Sequence, residues 1–565
     1  MFPFGGFPLQ LNPMHLSVAK LLDGRLFRIP EYQRAYSWQK KQRSDLFKDI
    51  EEAHMSGKEH FMATIVALSR DTKSIGADEY KVVELVDGQQ RVTTIVVLLK
   101  AIELALSDED KQSVKLKTDL SELLVKSDDH EMILLQTNHD SSSVFKDYIQ
   151  KGLISEEESS IAADQNLINA ATECAKFVER WQKDGDLIEL YGTIRNRLSV
   201  IFHELADEAI VYRVFEVLNS RGLDVKWIDK TKSQLMASIF EHTNDKKGQE
   251  EGLHEMHTIW KDIYQKLGLR QDLGDEALRF AGTFAVVGEK PKKLLSDEKA
   301  STELMKIAGT EIKTLISCAN DLKKTVRAVR RMHDDPRLRA VTKIVHARFL
   351  AVSIILRKFD KVTEKRLLDA WERVTFRIFG IGGADARNKI GDYVKLGFSV
   401  YKKTVSPDET LAAILEIGEE YPIDSVIESK DGWNECYKGW TEELRYVFYR
   451  YDEYLAKKAG QEINTLEWEM IWQNDASSSI EHIFPQNSGR SDIHNIGNLT
   501  MLPPKVNSSL GGKSPKEKAE RYIDSGLRCT KKVGKEIEAN PKWTMANVKA
   551  RRDEIEAFIR TEWAD

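Results

Sequence analysis

Four polar residues toward the C-terminal end, Glu481, His482, Asn498 and Asn507, lie in the run SSSIEHIFPQNSGRSDIHNIGNLTMLPPKVNSSLGGKS. Their types suit cutting a phosphodiester with one metal ion. That chemistry needs a base to deprotonate water, and neutral histidine serves near pH 7. It needs a hard cation, held by oxygen ligands, to stabilise the leaving oxygen. It also needs a group that fixes the imidazole tautomer. SIEHIFP reads as a short strand with Glu481 and His482 on opposite sides of the backbone. IGNLTML reads as a second strand with Asn498 at its start, and Asn507 opens a helix-leading segment. Taken singly, a strand histidine is more often a buried, satisfied residue, and an asparagine at a strand start is more often a turn former. The joint pattern carries the reading. His494 reads as a loop residue rather than a phosphate or metal contact. The stretch NSSLGGKS ends like a phosphate-cradling loop, but Asn507 replaces its first glycine and no strand feeds it. Lys513 remains a phosphate-contact candidate.

A second constellation is DGQQRVTT at 87–94. It follows the apolar run YKVVELV and opens the apolar VTTIVVLLKAIELAL. It therefore sits at a strand-to-helix junction, where free N–H groups and the helix dipole favour anions. Gly88 permits a tight turn. Arg91, Thr93 and Thr94 offer phosphate contacts, Gln89 and Gln90 offer polar readout, and Asp87 could hold a cation or position water. A helix cap with a salt bridge explains the same residues equally well. In IPEYQRAYSW at 29–38, Tyr32, Gln33, Arg34, Tyr36 and Trp38 interleave aromatics with an arginine, which suits base stacking. Tyr36 and Trp38 also suit a role as core anchors.

The elements around these motifs alternate in type. HLSVAKLLDG has helical spacing and a glycine stop, and Pro30 keeps LFRIPEYQRAYSW extended. SDLFKDIEEAHMSG predicts a helix capped by Ser44 and stopped by Gly57. FMATIVAL and YKVVELV predict two buried strands. Residues 105–165 are polar with loop-like SDEDKQ and SEEESS, and 250–425 reads as helix almost throughout, broken by GIGGADARN. ESKDGWNECYKGW reads as a linker, and TEELRYVFYRYDEYLAKKAG as an amphipathic helix. No fixed-period repeat is present.

The 565 residues are enough for about three or four domains. The formal charge of -6 excludes a wholly basic nucleic-acid coat. It leaves room for a local basic face, and residues 501–565 carry 14 Lys/Arg against 10 Asp/Glu. Four scattered cysteines without a CxxC pair argue against a zinc knuckle or disulfide framework and fit a reducing cytoplasm. MFPFGGFPLQLNPM lacks a basic region and does not read as a signal peptide. No apolar run is long enough to span a membrane.

The C-terminal run resembles the ββα-metal, or His-Me finger, fold of HNH nucleases. In that pattern an acid precedes the histidine, Ile and Pro follow, and a central and a second asparagine complete it. The resemblance implies Glu481 and Asn507 as ligands of Mg²⁺ or another divalent cation, His482 as general base and Asn498 as its orienting residue. Glutamate stands where aspartate is more usual, and the CxxC pairs of some HNH enzymes are absent. IPEYQRAYSW, DGQQRVTT and VFEVLNSRGLDVKWIDKTK at 214–232, in that order, resemble the signatures of the GmrSD-like, type IV restriction family. That family joins an N-terminal NTPase and sensor domain, somewhat ParB-like, to a C-terminal HNH domain. The resemblance implies a nucleotide site at Asp87, Gly88, Gln89, Gln90 and Arg91, with Thr93 and Thr94 beside it. It implies modification sensing at Tyr32, Gln33, Arg34 and Tyr36. Asn219, Arg221, Asp229 and Lys232 would complete the nucleotide pocket or merely cap a helix.

The expectation is an α+β, predominantly helical chain. Residues 1–245 would form a ParB-like α/β sensing and nucleotide-binding domain, 246–427 a helical connecting domain and 428–565 the HNH domain. The expected substrate is double-stranded DNA, in the main modified phage DNA, and the expected cofactors are Mg²⁺ and an NTP. One nuclease site per chain implies nicking, or double-strand cutting by a homodimer. The competing readings are a DNA-binding NTPase switch whose HNH fold binds or only weakly nicks DNA, and an RNA-directed nuclease.

Overall fold

The computed structural model describes residues 12–30, 33, 35–126, 132–137, 142–154, 161–205, 226–243, 245–268, 270, 272–339 and 344–565. Tyr32, Arg34, Asn219 and Arg221 lie outside them. The described chain is predominantly helical with a small mixed sheet, an α+β protein. It divides into two compact units, Met1–Ala285 with Leu295–Arg330, and Val286–Leu294 with Arg331–Asp565. The helices of 246–427, read from sequence as one connecting stretch, are thus shared between the two units. No helix among the described residues is long and apolar enough to cross a membrane.

The first unit is built on a six-stranded sheet. Its strands are β1 (Asn12–Ser17), β2 (Arg25–Arg28), β3 (His60–Ile75), β4 (Asp78–Asp87), the short Leu135–Gln136 strand and Leu198–Leu205. The order across the sheet is β1, Leu198–Leu205, β3, β4, β2, Leu135–Gln136. The two strands expected from FMATIVAL and YKVVELV are β3 and β4, paired antiparallel. β3 lies inside the sheet, and Ile65, Val66, Ala67 and Leu68 are all buried, so both of its faces are covered. The helix Gln89–Ala105 is apolar nearly all round and is correspondingly buried nearly all round.

The helix expected from SDLFKDIEEAHMSG starts earlier, at Lys40, and Ser44 lies inside it. Gln39 is the cap, because its backbone N–H donates to Gln42 Oε1 at 3.0 Å in a capping box. Gly57 ends the helix with φ 64°, as its position in the sequence suggests.

The pairing of β3 with β4 slips where the DGQQR turn begins. Val66 faces Asp87 but Ala67 faces Leu85, which leaves Val86 as a bulge. Gly88 follows with φ 90° and caps the next helix. A Cβ there would come within 2.8 Å of Ile65 Cγ1. Two constraints therefore demand glycine at one position: a left-handed backbone and close contact with β3.

In the second unit, the helices Lys361–Thr375, Thr441–Lys458 and Met545–Glu562 meet at Phe376, Tyr446 and Trp563. A buried ionic cluster ties them together. Arg450 pairs with Glu372 at 2.9 Å, with Glu453 at 3.0 Å and with Glu562, while Trp563 Nε1 donates to Glu372 at 3.0 Å. The supposed linker 428–440 is folded into this unit. Trp433 is buried and donates to Glu556 at 2.9 Å, and Cys436 N donates to His494 O at 3.1 Å.

Gly88→Ala should destabilise the first unit by about 1–3 kcal/mol, from strain plus overlap with Ile65. A lowered melting temperature of that unit checks this, and an unchanged one would contradict the double constraint.

Candidate active site

The C-terminal motif forms a very small hairpin. The strands Ile480–His482 and Leu499–Met501 pair antiparallel, with His482 opposite Leu499 and Glu481 opposite Thr500. The helix Pro504–Leu510 follows, and Asn507 lies within it rather than before it, since Pro504 opens the helix three residues earlier. Asn498 ends the turn Ile496–Asn498.

Three-residue strands make few ladder bonds, so side chains hold this hairpin. Asn498 is fully buried. Its Oδ1 accepts from Phe484 N at 2.9 Å, and its Nδ2 donates to Ile493 O at 2.9 Å and Phe484 O at 3.3 Å. These side-chain bonds go to the backbone of Phe484 and Ile493, not to the His482 ring. Asn507 Nδ2 donates to Ser478 O at 2.9 Å and Ile480 O at 3.1 Å, which fixes its amide and leaves Oδ1 as an acceptor. Arg551, from the helix Met545–Glu562, donates to the carbonyls of Ile496, Gly497 and Leu499 at 3.3, 3.1 and 2.5 Å. Gly497 is required there because a Cβ would overlap the carbonyl oxygen of Val548.

Glu481 and His482 are both buried. Glu481 Oε1 accepts from Lys518 Nζ at 2.7 Å and from Tyr522 OH at 2.6 Å. Burial raises the carboxyl's pKa above the usual range, and Lys518 and Tyr522 oppose that rise. His482 Nδ1 accepts from Gln486 Nε2 at 3.2 Å. With the Gln486 amide nitrogen as donor, the proton belongs on His482 Nε2, which then donates to His494 Nδ1 at 3.2 Å. Tyr437 packs edge-on against His482 and stacks on His494. Burial pushes the His482 pKa down to about 3, with His494 and Lys518 adding to the effect. The ring is therefore neutral near pH 7 and able to accept a proton.

Glu481, His482, Asn507, Gln486, Tyr437 and Lys518 line one cleft of about 660 Å³. Among the described residues no three His, Cys, Asp or Glu side chains gather as a metal cluster. The donors offered here are instead one carboxylate and one amide oxygen. They fit a hard cation such as Mg²⁺, which keeps waters and takes substrate phosphate as further ligands. Sequence reasoning missed Lys518, Tyr522, Gln486 and Tyr437; His494 does lie in a turn, as expected, and the sequence did not reveal that its Nδ1 meets His482 Nε2 at 3.2 Å. Lys518 and Tyr522 stand four apart on the helix Pro515–Ile523, a spacing that puts them on one face. That spacing alone could have suggested a shared target.

In the first unit, the DGQQR and YQRAYSW motifs are bonded to each other. Gln33, 0% exposed, donates to the bulged Val86 O at 2.7 Å and accepts from Gln89 Nε2 at 3.0 Å. Gln90 Oε1 accepts from Ser37 N at 2.8 Å and Trp38 N at 3.3 Å, and Gln90 Nε2 donates to Ala35 O at 3.2 Å. Thr94 Oγ1 meets Tyr36 OH at 2.9 Å, and the Thr93 and Thr94 hydroxyls donate back to Gln89 O and Gln90 O. Tyr36 and Trp38 are buried in the core, the anchor role open to them from sequence. Arg91 lies over the Trp38 ring at 5.7 Å, and Asp87 and Arg91 are only half-buried. Asp229 and Lys232 meet another helix: Tyr264 OH donates to Asp229 at 2.6 Å, and Lys232 lies over the Tyr264 ring.

Two family models match the chain. The GmrSD restriction endonuclease N-terminal domain matches residues 18–236, and the GmrSD restriction endonucleases C-terminal domain matches 421–557. Together they cover more than half of it, and the chain belongs to the GmrSD-like, type IV restriction enzyme family. That membership supports a restriction-nuclease role. No curated protein matches the chain.

His482 binds no proton in the folded state until about pH 3, while the unfolded ring does so near 6.5. Its contribution to stability is therefore whole above about 6.5 and falls as pH drops from there toward 3. Histidine-labelled NMR should show the His482 ring unprotonated between roughly pH 8 and 5. A midpoint near 6.5 would rule out the buried neutral state.

Proposed function

We propose that this chain is a modification-dependent DNA endonuclease of anti-phage defence. In this reading its C-terminal hairpin is an HNH, ββα-metal site, and NTP binding or hydrolysis at the N-terminal motif gates it. The observation that carries the nuclease reading is the single cleft lined by Glu481, His482 and Asn507. Two strands followed by a helix, with a neutral histidine beside a carboxylate, are the parts this chemistry requires.

Glu481 and Asn507 would hold the divalent cation, which stabilises charge on the leaving oxygen when bound. His482 would take the proton of the attacking water at Nδ1, the nitrogen that Gln486 now occupies. His494 accepts the other ring proton and so keeps Nδ1 available. A pKa of about 3 makes a weak base, and an arriving phosphodiester anion raises it toward the working range.

The nucleotide part of the proposal rests on the resemblance of DGQQR to the family's NTPase signature and on its place at a helix N-terminus. Asp87 and Arg91 are the side chains we assign to ligand contact, because both are half-buried whereas Gln89, Gln90, Thr93 and Thr94 are buried. Ligand binding would then bias a two-state element toward the cutting form.

Digestion of modified and unmodified DNA with Mg²⁺, with and without NTP, tests both parts. His482→Ala should cut about 10²–10⁴-fold more slowly. Equal cutting by this variant would remove the active-site assignment. Arg91→Ala should abolish any NTP dependence while leaving the nuclease cleft intact, and unchanged NTP dependence would remove the gating assignment.

A further inference from the structure

The Lys518 ammonium is buried to 1% exposure and sits 2.7 Å from Glu481 Oε1 and 2.7 Å from His482 O. Tyr522 donates to the same carboxylate oxygen at 2.6 Å. Oε1 of Glu481 therefore carries two donors, and the His482 backbone N–H bonds the same carboxylate. The charges around it are also unusual for a metal site. Glu481 is the one carboxylate among the residues lining the cleft, while Lys505 and Lys518 both line it. Glu481 and Lys518 cancel, and Lys505 leaves the lining positive. A divalent ion entering alone meets no net negative charge and a fixed ammonium across the shared carboxylate. A phosphodiester entering with it supplies the missing anion.

We infer that Lys518 is a positioning residue that makes metal binding conditional on nucleic acid: it engages one oxygen of Glu481 and neutralises its charge, so that cation and phosphodiester would occupy the cleft as a pair. This rests on the nuclease reading of the same cleft and adds the order of its assembly. By linkage, DNA tightens the metal as much as the metal tightens DNA. The device keeps the cleft from being loaded in the absence of substrate.

The test is Mn²⁺ binding, read by electron paramagnetic resonance, on the full chain. A His482→Ala background keeps DNA intact. With no DNA, Lys518→Met should bind Mn²⁺ about tenfold tighter or more than the parent, because a like charge is gone from the site. Lys518→Arg, which keeps the charge, should not. Adding a short duplex should tighten Mn²⁺ in the parent about tenfold or more, and much less in Lys518→Met. Equal or weaker Mn²⁺ binding by Lys518→Met overturns the inference. Should Lys518→Met not fold, the parent alone decides: no gain in Mn²⁺ affinity with duplex overturns it too. Cutting by the wild-type chain without that coupling sinks only this inference. Neither cutting nor Mn²⁺ binding with DNA present would sink the nuclease reading and this inference with it.

Discussion

Two strands of three residues each cannot hold their side chains in place by their own ladder. In the Ile480–His482 and Leu499–Met501 hairpin that task passes to side chains bonded to backbone. Asn498 clamps the chain on both sides of the loop after His482, Asn507 ties the following helix to Ser478 and Ile480, and Arg551 gathers three carbonyls of the turn. Each of these bonds is buried or half-buried, where an unmade partner costs about 1–3 kcal/mol. The placement of Glu481 and His482 follows from this framework. Asn507 and Arg551 come from helices, and Asn498 from the turn itself.

The same burial sets the chemistry. Taking Glu481 out of water raises its carboxyl, and Lys518 and Tyr522 oppose the rise. Taking His482 out of water keeps it neutral, and its two neighbours fix which nitrogen carries the proton. The acid and the imidazole are adjacent in sequence, yet both line one cleft, and Lys518 bears on each.

In the other unit, a single bulge has long reach. Leaving Val86 out of the β3–β4 register leaves its carbonyl to Gln33. Gln89 and Gln90 then fasten the turn to residues 33–38, and Tyr36 and Trp38 enter the core beside them. Much of the polarity of the two motifs is used to join them.

Several features were legible because local physics decides them. Alternating and continuous apolar runs marked β3, β4 and the helix after them. Gly57 and Gly88 marked sharp backbone changes, and the spacing from Glu481 to Asn507 marked a hairpin followed by a helix. Other features depended on partners distant in sequence. The cap of the helix at Lys40 moved from Ser44 to Gln39 because a reciprocal bond with Gln42 was available. Residues 428–440 read as a linker by composition, yet Trp433 found a buried partner in Glu556 and Tyr437 a place against His482. By itself the sequence determined which residues could do chemistry and the local elements that carry them, since residue type and period are local properties. Only the tertiary structure decided what surrounds them, Lys518, Tyr522, Gln486 and His494 included, because burial and charge at a site are set by whichever distant segments fold against it.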